Sequence, residues 1–525
     1  MRTSTYSGRR VIAKNSIFNL LGQVLPMLVG LLTIPLIVRG LGTDGYGILA
    51  IAYLVLGYFG IFDLGLSRAT VKFVAENLSP DKVHKVPQLV WTSLVLLVGM
   101  GVVGGAVASA FVPISVTHWF KMPAALVGEA RTSLFILCAS MPIMLGNNAL
   151  RGVLEAAQRF DLVNYVKVPS SVAFYLVAAL VIPFGVHVPG IVALMVFIRL
   201  ISSVAYLFLC FQVFPGLRSR FYLSRASIRP LASFGGWVMI SNITNPIFAY
   251  LERFMIATFL SVSALAFYSA PYELVSKMLI IPMSIVPSLF PYFSYHGSAR
   301  SSEVSEVTSR TMKYLLLALT PAAAIFIFFA KDILQLWLGP EFANHSSRVL
   351  QLTTLMIFIN AFATIPYTSV QALGRPDLKA ILDLCVLPLY AFISWWFMQH
   401  WGINGAALAK VCVTIIDVFF LYSFASKLKA FSVRDCISGP LCRAILTSAG
   451  LFGLLLAVQS FHPKLLVAIP LAMLCFSAFL IAFWFVAIDE RDRLVIGGLR
   501  QRALGILRGR HASPAVQVSG NDGRL

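Results

Sequence analysis

The stretch NPIFAYLERFMIATFL, residues 245–260, lies at the end of a long apolar run and carries Glu252 and Arg253 side by side. A charged side chain at the centre of a membrane helix costs about 2.5–3.5 kcal/mol on insertion scales. Charges kept in such segments usually face a protein interior or an aqueous cavity and mark the path of an ion or a substrate. The stretch therefore predicts a membrane-crossing helix that borders a polar interior.

The composition of the whole chain agrees with a membrane location. Of its 525 residues, 58% are hydrophobic and 12% are charged, and the mean hydropathy is +0.84. Soluble domains carry about 25% charged residues, so we predict an all-α, polytopic membrane protein. The first apolar run follows Arg9, Arg10 and Lys14, but it is long enough to span a bilayer and lacks a small-residue cleavage site. We therefore interpret it as an uncleaved helix.

Apolar runs of about 20 residues predict about 14 transmembrane helices. Their approximate spans are 15–38, 45–67, 89–111, 132–150, 168–184, 188–211, 231–260, 264–295, 314–330, 349–371, 380–399, 404–426, 440–460 and 465–488.

The placement of the basic residues tests this number of helices. With the N-terminus in the cytoplasm, 31 of the 41 Lys and Arg residues fall in cytoplasmic segments and six in external ones. This asymmetry is the one that the positive-inside rule predicts, so both termini are expected in the cytoplasm. The net charge of +20 then indicates contact with anionic lipid headgroups. It is not a sign of nucleic-acid binding, and we expect no nucleic-acid partner.

Two regions of the chain resemble each other at an offset of roughly 220 residues. The turn LGTDGYGILA (41–50) and the turn LSVSALAFYSA (260–270) each follow a helix with a polar stripe and a proline. Such a parallel repeat predicts two six-helix lobes around a central cavity, with two further C-terminal helices. The predicted segments are a cytoplasmic N-terminal segment (1–14), an N-terminal lobe (15–215), a C-terminal lobe (230–426), helices 13–14 (438–488) and a basic, disordered cytoplasmic tail (489–525).

Nine ionisable residues lie within the predicted helices, four basic and five acidic. Glu273 and Lys277 have the i, i+4 spacing of a helical ion pair, whereas Glu252 and Arg253 diverge on a helix and need other partners. Arg253 is the favoured phosphate ligand because its planar fork binds two oxygens; a purely structural role for it stays open. The candidate substrate-binding residues are Arg253, Lys277, Arg199, Lys410, Arg39 and Tyr272. The candidates for ion coupling or charge balance are Glu252, Glu273, Asp63 and Asp417.

The sequence gives no sign of a catalytic or cofactor site. There is no Walker A, GxSxG or HExxH motif, and the seven cysteines form no CxxC pair or metal-ligand spacing. We therefore expect no enzyme activity, cofactor, metal or disulfide. Without an ATPase motif, transport is expected to draw on an ion gradient or on the gradient of the substrate.

The run from Asn15 to Leu78 is similar to the start of bacterial polysaccharide-biosynthesis flippases. The similarity lies in the LGxxxYG turn at residues 41–47 and in the DLGL sequence at residues 63–66, and residues 233–269 look like the second lobe of that family. The resemblance implies a multidrug/oligosaccharidyl-lipid/polysaccharide exporter fold. It also implies that the protein flips undecaprenyl-diphosphate-linked oligosaccharide across the bacterial inner membrane, for O-antigen, capsule or exopolysaccharide, alongside a polymerase and other glycan-assembly proteins.

Three alternative functions remain open on the sequence. A multidrug or cation antiporter of the same superfamily would carry an acid-dominated lobe, whereas bases and acids are nearly balanced here. A non-transporting scaffold of a glycan-assembly complex would tolerate neutralisation of the buried charges. A membrane glycosyltransferase would be expected to have larger external loops than this chain has.

Overall fold

In the computed structural model, the described part of the chain is helical. The structure describes residues 4–219, 221, 223, 243–296, 301–431, 439–461, 465–489 and 492. The α-helices are α1 (Ser4–Tyr58), α2 (Leu66–Glu76), α3 (Val86–Ile114), α4 (Val127–Ala156), α5 (Phe160–Val181), α6 (Val188–Val213), α7 (Gly216–Ser219), α8 (243–255), α9 (Val262–Ser276), α10 (Ile280–His296), α11 (Ser301–Phe328), α12 (Ala330–Trp337), α13 (Pro340–Ala372), α14 (Pro376–Lys427), α15 (Pro440–Ser460) and α16 (Leu465–Ala482).

The helices confirm an all-α protein that crosses the membrane many times. Eleven helices in the described residues are long and apolar enough to cross a bilayer. Two of them, α1 and α14, are broken at Gly42 (φ 71°) and Gly402 (φ 56°), backbone angles that favour glycine. Each break separates two predicted spans. The remaining predicted span, 231–260, is described only from residue 243. The polar stripe predicted on it consists of Asn242 and Asn245, and Asn242 lies outside the described residues.

The chain forms two compact units. The first contains Met1–Gly297 with Ile325–Ala430, and the second contains Ser298–Ala324 with Phe431–Leu525. The predicted lobe boundaries remain a prediction, and of the tail 489–525 only residues 489 and 492 are described.

In the first unit, helices α3 and α4 pack closely at the GxxxG pair Gly101 and Gly105. A Cβ atom on Gly101 would lie 2.5 Å from Pro142 Cα, and one on Gly105 would lie 2.5 Å from the carbonyl oxygen of Cys138. Small residues at this spacing let two membrane helices approach closely. This packing positions α4, which carries the cavity-lining residues Asn147, Asn148 and Arg151 described below.

The two turns of the sequence repeat contact each other within the first unit. Ser263 donates a hydrogen bond to the carboxylate of Asp44. Gly47 packs so closely on Val262 that a Cβ atom would lie 2.3 Å from its carbonyl oxygen. The resembling turns therefore join α1 of the N-terminal half to α9 of the C-terminal half.

The second unit contains a buried charge cluster at the middle of α11. Lys313 and Asp492 form an ion pair, and Tyr314 donates a 2.7 Å hydrogen bond to Asp492. Burial by itself would raise the pKa of Asp492, but the hydrogen bonds from Lys313 and Tyr314 outweigh it and hold the pKa below its usual range. The cluster ties the segment after α16 to α11.

Candidate functional site

Two adjoining cavities lie within the first unit, with volumes of about 250 and 290 Å³. Both are lined by Phe174, Tyr175 and Arg199, so they share a wall. We call the first the basic cavity and the second the aromatic cavity, after the residues described below.

The basic cavity lies between α4, α5 and α6. Its charged residues are Arg151, Lys167 and Arg199, and no carboxylate is among its lining residues. The uncharged polar lining residues are Asn147, Asn148, Ser170, Ser171, Ser202, Tyr175 and Tyr206. Arg151 Nε lies 3.2 Å from the carboxylate of Glu155, one helical turn away. An excess of positive charge surrounded by amide and hydroxyl groups is suited to a phosphate-bearing ligand.

Arg199 belongs to both cavities and has no acidic partner in the described part of the chain. Its guanidinium lies 5.3 Å from the centre of the Phe174 ring, within the range of a cation–π contact. Arg199 was predicted as a site residue, whereas Arg151 and Lys167 were missed because they were assigned to a cytoplasmic loop. The spacing of Asn147 and Arg151, one helical turn apart, is the signal that could have placed Arg151 on the cavity side of α4.

The aromatic cavity is formed by both halves of the first unit. The second part of α1 contributes Tyr46 and Tyr53, α5 contributes Phe174 and Tyr175, and the C-terminal half contributes Tyr250 and Glu273. Glu273 is the one carboxylate among the lining residues of the two cavities.

The predicted pair of Glu273 and Lys277 forms, with Lys277 Nζ 3.0 Å from Glu273 Oε2. Both side chains are partly exposed. Lys277 begins a short 3-10 turn, Lys277–Leu279, that separates α9 from α10. Of the two, only Glu273 lines the aromatic cavity.

Arg253 lies against Tyr272 and beside Tyr250, one of the residues that line that cavity. The Arg253 guanidinium lies 4.2 Å from the centre of the Tyr272 ring and 5.5 Å from that of Tyr250. Arg253 is 7% exposed, and in the described residues no carboxylate lies within ion-pair distance of it. Arg253, the favoured phosphate ligand on the sequence, therefore lines neither cavity.

Glu252 is completely buried, and a lysine of α14 balances its charge. Lys410 Nζ lies 3.1 Å from Glu252 Oε2 and also donates to the carbonyl oxygen of Phe248, while the hydroxyl of Tyr390 donates to Oε2 at 2.7 Å. Tyr390 and Lys410 lie on opposite sides of the break at Gly402, so the folding back of α14 brings them together. The structure therefore places Lys410 in an internal ion pair.

The remaining predicted site residues either form hydrogen bonds or ion pairs within the protein or are exposed. Asp417 binds Lys379 Nζ at 2.6 Å, and the same ammonium binds Asp383 at 2.7 Å. Asp63 accepts hydrogen bonds from the backbone and hydroxyl of Ser67 at the start of α2. Arg39 is exposed. None of Asp417, Asp63 and Arg39 lines the two cavities.

The described residues hold no group of three or more potential metal ligands among His, Cys, Asp and Glu. Six cysteines in the described part of the chain are free thiols, and Cys436 lies outside it.

A polytopic all-α chain with a polar cavity inside its membrane helices has the architecture of membrane transporters. The chain belongs to the polysaccharide biosynthesis protein family, whose family model matches residues 12–296. A second model, MatE, matches residues 238–396. The family predicted from the sequence is thereby confirmed.

Known relatives cover most of the chain. It is 28% identical to the "Putative O-antigen transporter" of Shigella flexneri over 78% of this chain and 96% of that protein. It is 20% identical to the "Probable flippase AglR" of Haloferax volcanii over 76% of this chain and 80% of that protein. The solved structure of lipid II flippase MurJ in an inward closed conformation has a TM-score of 0.68 and 14% identity, over 90% of this chain and 99% of that one, which shows a shared fold. Relatives named as transporters and flippases agree with the prediction that the chain is not an enzyme.

Proposed function

We propose that this protein flips an undecaprenyl-diphosphate-linked oligosaccharide from the cytoplasmic to the periplasmic leaflet of the bacterial inner membrane by alternating access. The observation that carries the proposal is the basic cavity. Arg151, Lys167 and Arg199 line it and no carboxylate does. A diphosphate is the anionic part of such a lipid, and arginine binds phosphate oxygens through two parallel hydrogen bonds. A cavity within the membrane segments shields that charge while the lipid tail stays in the bilayer.

The position of the basic cavity supports entry from the cytoplasm. With both termini inside, as the distribution of basic residues predicts, the cavity lies in the cytoplasmic half of α4, α5 and α6. At the opposite end of the first unit, contacts join the N-terminal and C-terminal halves. Lys121 exchanges backbone hydrogen bonds with Ala257 and Val262, and Trp337 donates a 2.8 Å hydrogen bond to the carbonyl oxygen of Leu31. This arrangement is the one expected of a transporter that awaits substrate from the cytoplasm.

The predicted site residues take different parts in this proposal. Arg199 contacts the diphosphate, together with Arg151 and Lys167. Arg253, which lies over the ring of Tyr272 and does not line the aromatic cavity, contributes positive charge rather than direct contact. Glu252 and Lys410 balance each other, as do Asp417 and Lys379. Glu273 is the carboxylate best placed to take up a coupled proton or cation, because it lines a cavity and its side chain is 30% exposed.

The experiment that tests this function measures lipid-linked glycan in cells. We expect deletion of the gene to cause accumulation of lipid-linked oligosaccharide that is accessible only from the cytoplasmic side. The wild-type protein is expected to clear the accumulated lipid. The Arg199→Ala variant, present in the membrane in the same amount, is expected not to clear it. Arg131→Ala is the matched control, because Arg131 is an exposed arginine at the other end of α4. Unchanged surface glycan with no accumulation after deletion contradicts the proposal and favours a drug exporter.

A further inference from the structure

Glu155 lies next to the basic cavity but is not among its lining residues. It follows Arg151 by one helical turn, near the C-terminal end of α4, which faces the cytoplasm when both termini are inside. Its Oε1 atom is 3.2 Å from Arg151 Nε. Lys167 and Arg199 have no acidic partner in the described residues. Within that part of the chain, Arg151 is therefore the one cation lining the cavity that has a counter-ion.

The stability of α4 does not account for Glu155. A negative charge in the last turn of a helix opposes the helix dipole. In a helical ion pair at i, i+4, the order in which the acidic residue follows the basic one is also the less favourable order. Glu155 thus adds little to the helix that carries it, and its place beside a cation of the cavity indicates a role in that cavity.

The contact between Arg151 and Glu155 is one that a ligand displaces easily. Although the two atoms are 3.2 Å apart, Arg151 Nε has no hydrogen-bond partner in the described residues, so the contact is electrostatic only. The two side chains are 41% and 33% exposed, and water weakens an ion pair of that exposure. A phosphate oxygen that accepts hydrogen bonds from the guanidinium replaces the carboxylate. The affinity of the cavity for the phosphate is reduced by the cost of that exchange.

This cost has different consequences for soluble and for membrane-anchored diphosphates. Either kind must displace Glu155 to bind Arg151. An anchored diphosphate is confined to the bilayer around the cavity, which raises its effective concentration, whereas a soluble diphosphate is captured from the cytoplasm. A lower affinity for the diphosphate group therefore reduces the occupancy by the anchored ligand little, but it leaves the cavity largely free of soluble anions.

We infer that Glu155 is a positioning residue that holds Arg151 against soluble diphosphates and thereby keeps the basic cavity available for a lipid-linked one. The inference rests on the proposed function, because the lipid-linked diphosphate is the ligand that displaces Glu155. Since Glu155 does not line the cavity, it acts through Arg151. Loss of its charge is expected to tighten anion binding, whereas loss of a residue with a purely structural role would weaken it.

The test measures the binding of inorganic diphosphate to the full-length protein in nanodiscs of a zwitterionic lipid. We expect Glu155→Gln to bind it about threefold to fivefold more tightly than wild type at low salt, and the difference to shrink at high salt, which screens the ion pair. Glu155→Asp keeps the charge and is expected to stay within twofold of wild type. Glu76→Gln, which removes the exposed partner of Lys72 on α2, is the matched control and should bind like wild type.

A double-mutant comparison tests whether Glu155 acts through Arg151. In an Arg151→Gln protein, the added change Glu155→Gln is expected to alter binding of inorganic diphosphate by less than twofold. A second measurement uses flipping in liposomes. Inorganic diphosphate added on the cytoplasmic side of the protein is expected to inhibit Glu155→Gln at a concentration about threefold lower than wild type.

The outcomes separate this inference from the proposed function. Unchanged or weaker binding of inorganic diphosphate by Glu155→Gln, with flipping by wild type intact, overturns the role of Glu155 and leaves the proposed function in place. An equal gain in the Arg151→Gln protein overturns the action through Arg151. Failure of wild type and Glu155→Gln alike to bind inorganic diphosphate and to flip the lipid contradicts the proposed function itself.

Discussion

Two basic residues of the N-terminal half of the first unit and two of the C-terminal half are used in opposite ways. In the N-terminal half, Arg199 and Lys167 line a cavity and have no acidic partner in the described residues. In the C-terminal half, Lys410 is bonded to Glu252, and Lys379 is bonded to two aspartates. The comparison teaches that an intramembrane charge reveals little by itself. Whether such a residue binds a ligand or stabilises the fold depends on whether it has an acidic partner within the protein.

The largest effect is expected from breaking the buried pair of Glu252 and Lys410. Lys410→Met leaves the carboxylate of Glu252 fully buried without its counter-ion, and loss of one partner of a buried pair costs about 3–5 kcal/mol. The free energy of unfolding, measured by denaturant titration in mixed micelles, is expected to fall by that amount. The double variant Glu252→Gln with Lys410→Met is expected to recover at least half of the loss.

The control for this pair is Lys72→Met, at an exposed lysine 3.9 Å from Glu76. Its unfolding free energy is expected to change by less than about 0.5 kcal/mol. A Lys410→Met protein as stable as wild type would show that the pair does not hold the C-terminal half together.

A smaller loss of stability is expected at Lys379. Lys379→Met removes the ammonium shared by Asp383 and Asp417 and leaves two carboxylates near each other. Because the lysine and Asp417 are each 22% exposed, water offsets part of the cost, and we expect a loss of about 2 kcal/mol in unfolding free energy. Adding Asp383→Asn is expected to restore part of it. Arg375→Gln, whose ion pair with Asp377 is about half exposed, serves as the control and should have little effect.

Arg199 is expected to show the reverse behaviour, with a large effect on transport and a small one on stability. Arg199→Gln should lower the transport rate at least tenfold, which corresponds to about 1.4 kcal/mol. Its unfolding free energy should change by less than about 1 kcal/mol, because the arginine loses only a cation–π contact with Phe174. Rate and stability are measured on the same purified protein. A loss of stability equal to that of Lys410→Met would remove the distinction between the two halves.

The smallest effect is expected where the two halves touch. Asp44→Ala removes the hydrogen bond from Ser263, and a single hydrogen bond contributes about 1 kcal/mol net. The amides of residues 260–270 are expected to exchange with solvent several-fold faster by mass spectrometry. Asp81→Ala, at an exposed loop residue, is expected to leave that exchange unchanged. Unchanged exchange in Asp44→Ala would mean that the repeat turns do not depend on this contact.

Much of the fold follows from hydropathy, because a bilayer requires apolar helices of a set length. The sequence predicted separate helices on either side of Gly42 and Gly402, and the structure shows a sharp break at each glycine. The pair of Glu273 and Lys277 was also predictable, since i, i+4 spacing along one helix determines it.

The partners of Glu252 and the composition of the basic cavity did not follow from the sequence. Lys410 and Tyr390 reach Glu252 only through packing of α14 against α8, which local spacing does not encode. Arg151 and Lys167 were assigned to a loop because basic residues near helix ends satisfy the positive-inside rule, whether or not they also face a cavity.

The most direct test of the contrast between the two halves is flipping by purified protein in liposomes. The substrate is a synthetic polyprenyl diphosphate carrying one N-acetylglucosamine, and the measurement is the fraction that becomes accessible from the opposite leaflet. We predict that the triple variant Arg151→Gln, Lys167→Gln, Arg199→Gln does not flip the lipid. The double variant Glu252→Gln, Lys410→Met is predicted to flip it at no less than half the wild-type rate. Flipping by the triple variant, or its loss only in the double variant, would contradict the account.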